Sequence, residues 1–79
     1  GLAEAGPWAF VSAGTLNVRM GPGIAFDVIT TLDQGALVTA LGRTADRLWA
    51  KIMTEGVEGW ANTGHLKFSI PLSFLPVVQ

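Results

Sequence analysis

The sequence predicts a small all-β barrel or sandwich, and three observations carry that prediction. Short β-type runs are broken about every 8 to 12 residues by Gly or Asp, the spacing of turns between strands. No stretch of about 12 residues keeps apolar side chains at helical spacing without a glycine or a β-branched run interrupting it. The segment from Leu48 to Asn62 alternates on either side of Glu55-Gly56 and reads as a hairpin.

The elements can be taken in order. Residues 1–8 contain Gly1, Gly6 and Pro7 and have no period, so they read as a flexible lead-in. The barrel is assigned to residues 9–68. Thr15 to Met20 ends at Gly21-Pro22-Gly23, and Phe26 to Leu32 ends at Asp33-Gln34-Gly35. Ala36 to Leu41 ends at Gly42, Leu48 to Met53 at Glu55-Gly56, and Val57 to Ala61 precedes Asn62-Thr63-Gly64. Leu66 and Phe68 close the sheet. Residues 69–79 are apolar, but Pro71 and Pro76 each lack a donor N–H and exclude a central strand or regular helix. This tail reads as a linker or as the start of a following module.

Composition bounds the function. With 79 residues there is room for one small domain, and with no cysteine the fold must rest on apolar burial alone. Apolar residues make up 49% and charged residues 14%, the reverse of a disordered composition. A formal charge of -1 with scattered basic residues argues against nucleic-acid binding by phosphate neutralisation. No segment reaches the roughly 18 to 20 apolar residues of a membrane span. The N-terminus carries no signal-peptide pattern, and a start at Gly1 suggests a piece of a longer protein.

Alternation places Leu48, Ala50 and Ile52 on one face of the hairpin and Trp49, Lys51 and Met53 on the other. Val57, Gly59 and Ala61 face inward on the return strand, and Glu58, Trp60 and Asn62 outward. If Glu55-Gly56 is a two-residue turn, Ile52 pairs with Gly59, Ala50 with Ala61, Lys51 with Trp60, Met53 with Glu58 and Trp49 with Asn62. Trp49 and Trp60 are then diagonal neighbours. Such a pair either forms a shallow ligand platform or caps a second part of the core, and both readings stay open. Lys51 opposite Trp60 also fits a cross-strand cation–π pair.

The stretch Leu16-Asn17-Val18-Arg19-Met20-Gly21-Pro22 resembles the L-N-V-R-x-G-P signature of bacterial SH3 domains, the SH3b family. Phe26-Asp27-Val28-Ile29, Leu32 with Gly35 and Val38, Trp49-Ala50-Lys51-Ile52, Gly59-Trp60-Ala61 and His65-Leu66 follow in the family's order. The resemblance implies an SH3-like barrel of about five to seven short, strongly bent strands. It also implies a long loop after the first strand and a short 3₁₀ turn near Asn62-Thr63-Gly64. Leu16, Asn17, Val18, Arg19, Gly21, Pro22, Gly35, Val38, Ile52 and Gly59 are the structural positions of this motif, with Arg19 and Asn17 expected to bond the loop backbone more than a ligand.

Family members accompany cell-wall hydrolases and surface proteins and are taken to bind peptidoglycan or its peptide stems. The resemblance therefore implies a non-catalytic targeting module, extracytoplasmic or in the cell envelope of a bacterium, and the candidate ligand residues read from the hairpin, loop and turn are Trp49, Trp60, Phe26, Lys51 and Arg47. The alternative is a structural or regulatory spacer that packs against neighbouring domains of the same chain. The proline-rich peptide mode of eukaryotic SH3 domains is disfavoured, since there is no Tyr and only Asp27 near the loop.

Catalytic and metal chemistry find no support. His65 is the only histidine and reads as a surface or edge residue. Ser12, Ser69 and Ser73 lack a nucleophile elbow, and Glu55 and Glu58 flank a turn. Gly21-Pro22-Gly23 is no phosphate loop, and Arg43, Asp46 and Arg47 read as a polar turn. No catalytic residue, metal site or cofactor is expected.

Overall fold

The computed structural model describes residues 7–12 and 14–78. In chain order the strands are β1 (Trp8–Val11), β2 (Thr15–Arg19), β3 (Val28–Asp33), β4 (Leu37–Arg43), β5 (Trp49–Thr54), β6 (Val57–Asn62) and β7 (Leu66–Phe68). They form one seven-stranded sheet in the order β3-β2-β6-β5-β4-β1-β7, with every named pair antiparallel. The sheet curls on itself because the β3–β4 turn bonds to β1. Gly35 N–H donates to Val11 O at 2.8 Å and Val11 N–H to Ala36 O at 2.9 Å. A short 3₁₀ turn, Thr63–His65, links β6 to β7.

Period-2 alternation builds the core. Ala9 and Val11 of β1, Leu16 and Val18 of β2, Val38 of β4, Ala50 and Ile52 of β5, Ala61 and Leu66 pack into one buried cluster. Each such side chain withdrawn from water contributes roughly 1.5–3 kcal/mol when it is as large as Ile52. The β5–β6 hairpin has the expected register, from Trp49 opposite Asn62 to Met53 opposite Glu58. Its turn holds Glu55 at φ 49° and Gly56 at φ 80°, the left-handed pair that matches the strands' own twist. At its ends parity fails: Leu48 and Val57, expected to face inward, are exposed.

Two halves of the sheet meet at a narrow seam. The β2–β6 pairing consists of Arg19 opposite Trp60. Gly59 lets the strands approach there, because a Cβ at that position would lie 2.4 Å from Val18 Cγ1 and 3.0 Å from Arg19 O. Only hydrogen fits.

Several boundaries differ from the sequence reading. Residues 1–6 of the lead-in lie outside the described residues, but Trp8 is the first residue of β1. Its N–H donates to Ser69 Oγ at 3.0 Å and its carbonyl accepts from Ser69 N–H at 2.8 Å, so the strand is clasped on the β7 side. Phe26, expected to start a strand, instead belongs to the loop, where its N–H bonds to Gly23 O. β3 therefore begins at Val28.

The tail is not an unattached linker. β1 covers β4 only as far as Thr39, and Pro7 O takes the N–H of Ala40. The rest of that edge is filled by the chain end: Arg43 N–H donates to Pro76 O at 2.9 Å, and Val78 N–H to Arg43 O at 2.8 Å, forming a parallel bridge with Val77. Arg43 Nε holds Leu72 O at 2.9 Å. Gly42 has no side chain because Val78 occupies that space, 2.7 Å from where a Cβ would stand. A second 3₁₀ turn, Leu72–Phe74, buries Leu75 to 3% exposure while Phe74 stays 72% exposed. The prolines exclude a long strand but permit this short parallel bridge, since Pro76 contributes a carbonyl and no N–H is asked of it. Leu75→Ala is therefore expected to destabilise the domain by about 2–5 kcal/mol in urea unfolding, and Phe74→Ala by less than about 0.5 kcal/mol. Equal, negligible effects of both would mean that the tail is not packed.

Candidate functional site

The loop between β2 and β3 is residues 20–27, and Arg19 organises it from the end of β2. Its Nη1 donates to Phe26 O at 2.9 Å and to Ile24 O at 3.1 Å. Met20 N–H closes the loop base on Asp27 O at 2.9 Å. The Phe26 ring lies over Gly21, where a Cβ would stand 2.5 Å from it. Glycine is required at that position by contact, not by backbone angle.

The turn between β4 and β5 leads into Trp49 and is bonded to it. Thr44 N–H donates to Trp49 O at 2.9 Å, and Thr44 Oγ1 accepts from Trp49 N–H at 3.2 Å. The same hydroxyl donates to the Asp46 carboxylate, which also accepts from Leu48 N–H at 3.0 Å. The hydrogen bond from Thr44, helped by the one from Leu48, holds the Asp46 carboxyl below its ordinary range. Arg47 sits at φ 65°, unusual for a residue with a side chain. The turn is held there by its neighbours: Arg47 N–H bonds to Thr44 O at 3.0 Å and Arg47 O accepts from Thr63 Oγ1 at 2.7 Å. Thr63 N–H adds a bond to Leu48 O at 3.0 Å. The 3₁₀ turn is thereby fastened to the β4–β5 turn, and Asn62 Oδ1 caps it by accepting from Gly64 N–H at 2.9 Å.

Beside the loop, between β2 and the Trp49, Asn62 and His65 side chains, lies a groove of about 190 Å³. Ile24 and Arg19 border it on the loop side, Thr15, Leu16 and Asn17 from β2, and Trp49, Asn62 and His65 from the opposite side. The volume is below the roughly 300–1,000 Å³ of drug-sized ligand pockets, so the groove suits one or two residues of a chain and not a cofactor.

Of the residues named from sequence as ligand contacts, Trp49 alone lines this groove. Trp60 is corrected. It is 6% exposed and lies outside the main core cluster, so it caps a second part of the interior and offers no ligand face. Alternation placed it on the outer side of the sheet, yet outer does not mean uncovered in a barrel this small. Lys51 stands with its Nζ 6.0 Å from the Trp60 ring centroid and 3.4 Å from Glu58 Oε1, a local cation–π contact and ion pair. Phe26 is half-exposed on the loop and Arg47 projects from the turn, and neither borders the groove. Thr15, Ile24, Asn62 and His65 line the groove although the sequence gives them no ligand role. The nearest sequence signal was Asn62, an Asx residue placed to cap a turn.

With Trp60 buried, Trp60→Ala is expected to cost about 3–5 kcal/mol, most of the stability of a domain this size. Loss of the cooperative thermal transition by circular dichroism is the expected result. An unchanged melting curve would mean that the ring is not packed.

The family model for the bacterial SH3 domain matches residues 14–67. No curated protein matches the chain. The matched segment runs from the start of β2 into β7 and holds every groove-lining residue, together with the loop, the hairpin and the 3₁₀ turn. The family is one of non-catalytic binding modules, which agrees with a small groove on an SH3-like barrel. The chain belongs to the bacterial SH3 domain family.

Proposed function

We propose that this domain is a targeting module that binds cell-wall peptidoglycan through its peptide stems, serving an attached hydrolase or surface protein at the bacterial cell envelope. The observation that carries the reading is the groove itself. One half-buried tryptophan, Trp49, stands beside amide and hydroxyl groups in a space suited to one or two residues. Aromatic faces give large contact area with little entropy to lose, and the flanking amides supply orientation. The Arg19 side chain and the Trp49 backbone are each fixed by hydrogen bonds within the domain, so little ordering cost falls on binding.

Weak single-site binding is useful in this setting, because a tethered enzyme gains effective concentration at the wall. Among the described residues, no helix is long and apolar enough to cross a membrane. A spacer that packs against neighbouring domains is the second reading, and the exposed Phe74 on the packed tail is the observation that favours it.

Co-sedimentation with purified peptidoglycan separates the two. Trp49→Ala is expected to lower retention by about tenfold or more, the size of effect expected for losing an aromatic anchor, with the thermal transition retained. Phe74→Ala is expected to leave retention unchanged. If a folded Trp49→Ala variant is retained like the wild type, the groove does not bind the wall.

A further inference from the structure

The groove has a one-sided chemistry. Its ionisable lining residues are Arg19 and His65, and no Asp or Glu borders it, although the chain as a whole carries a net charge of -1. Asp46 is bonded inside its turn and Glu58 is paired with Lys51.

The donors that remain point to an acceptor-rich partner. The loop carbonyls of Ile24 and Phe26 occupy Arg19 Nη1. They leave the Nε and Nη2 hydrogens without a partner among the described residues. No buried side-chain nitrogen or oxygen of the described residues lacks a hydrogen bond, so these hydrogens are open to solvent or ligand. The loop contacts also fix the guanidinium plane, which removes most of the entropy cost of using its second edge. Asn62 spends its Oδ1 on Gly64 N–H, which leaves the Nδ2 donors for the groove. The His65 ring has an N–H to donate in either tautomer.

We infer that the groove recognises a free carboxylate on a short peptide. The carboxylate accepts from the free edge of Arg19 and from Asn62 and His65, and the adjoining small apolar side chain lies against Trp49. Planar, bidentate acceptance suits a carboxylate on a guanidinium edge. The roughly 190 Å³ of space, about six waters' worth, accommodates a chain end and excludes a folded partner. The inference rests on the wall-peptide reading above and specifies which atoms of the stem are read.

The test uses soluble peptide-bearing fragments of purified peptidoglycan, before and after conversion of their carboxylates to carboxamides. Binding is measured by calorimetry to the wild type, Trp49→Ala, His65→Gln and Arg19→Lys. The native fragments are expected to bind about tenfold or more tightly than the amidated ones, the scale of a lost charge-assisted hydrogen bond. That ratio is expected to shrink in His65→Gln, whose altered side chain is exposed and whose fold is kept, and to persist in part in Arg19→Lys, which keeps the positive charge. If native and amidated fragments bind the wild type equally and Trp49→Ala abolishes both, the carboxylate assignment is overturned and the groove reading stands. If neither form binds the wild type, both fail.

Discussion

The bond from the Arg19 guanidinium to the carbonyls of Ile24 and Phe26 is the contact on which the rest of the molecule turns. Arg19 sits where two sheet segments join, since its backbone opposite Trp60 is the whole of the β2–β6 pairing. Its side chain reaches away from that seam to hold a loop with little apolar burial of its own: Met20 and Ile24 are largely exposed, and Phe26, half-exposed, lies over Gly21. A loop with so little packing opens at low cost unless hydrogen bonds retain it. One residue therefore links the barrel's closure to the position of a groove wall.

The turn that leads into Trp49 is held by a different device. Thr44, Asp46, Arg47 and Thr63 form a closed set of side-chain and backbone bonds that ties the β4–β5 turn to the 3₁₀ turn. That set is what keeps Arg47 in a left-handed conformation, and such strain persists only where neighbours over-determine it. The tail stabilises the same strand from behind, filling the edge of β4 that β1 leaves open and placing Val78 against Gly42. The groove is thus bordered by Arg19, which holds the β2–β3 loop, and by Trp49, whose backbone is bonded into the turn network.

The parts legible in the sequence were those governed by local rules. The hairpin register followed from alternation and from one Glu-Gly turn, because period 2 and turn geometry leave no freedom in pairing. The loop corner followed from Gly21, Pro22 and Gly23. What was not legible depended on contacts distant in sequence. Parity says which side of a strand Trp60 occupies but not what covers that side. Two prolines in the tail argued against a strand, while nothing local revealed that β4 had an unfilled edge for Pro76 and Val77. Ile24, Asn62 and His65 come from a loop, a strand end and a turn, and only the folded chain brings them to the same groove.

The most direct measurement of this account is ¹⁵N relaxation on the wild type and Arg19→Gln, which keeps the backbone seam and removes the charged clamp. If Arg19 holds the loop, order parameters across residues 20–27 fall from near the rigid value of about 0.85 toward 0.6 or lower in the variant, while β4, β5 and β6 stay rigid. A loop that remains as rigid in Arg19→Gln as in the wild type would contradict the claim that this guanidinium positions the groove.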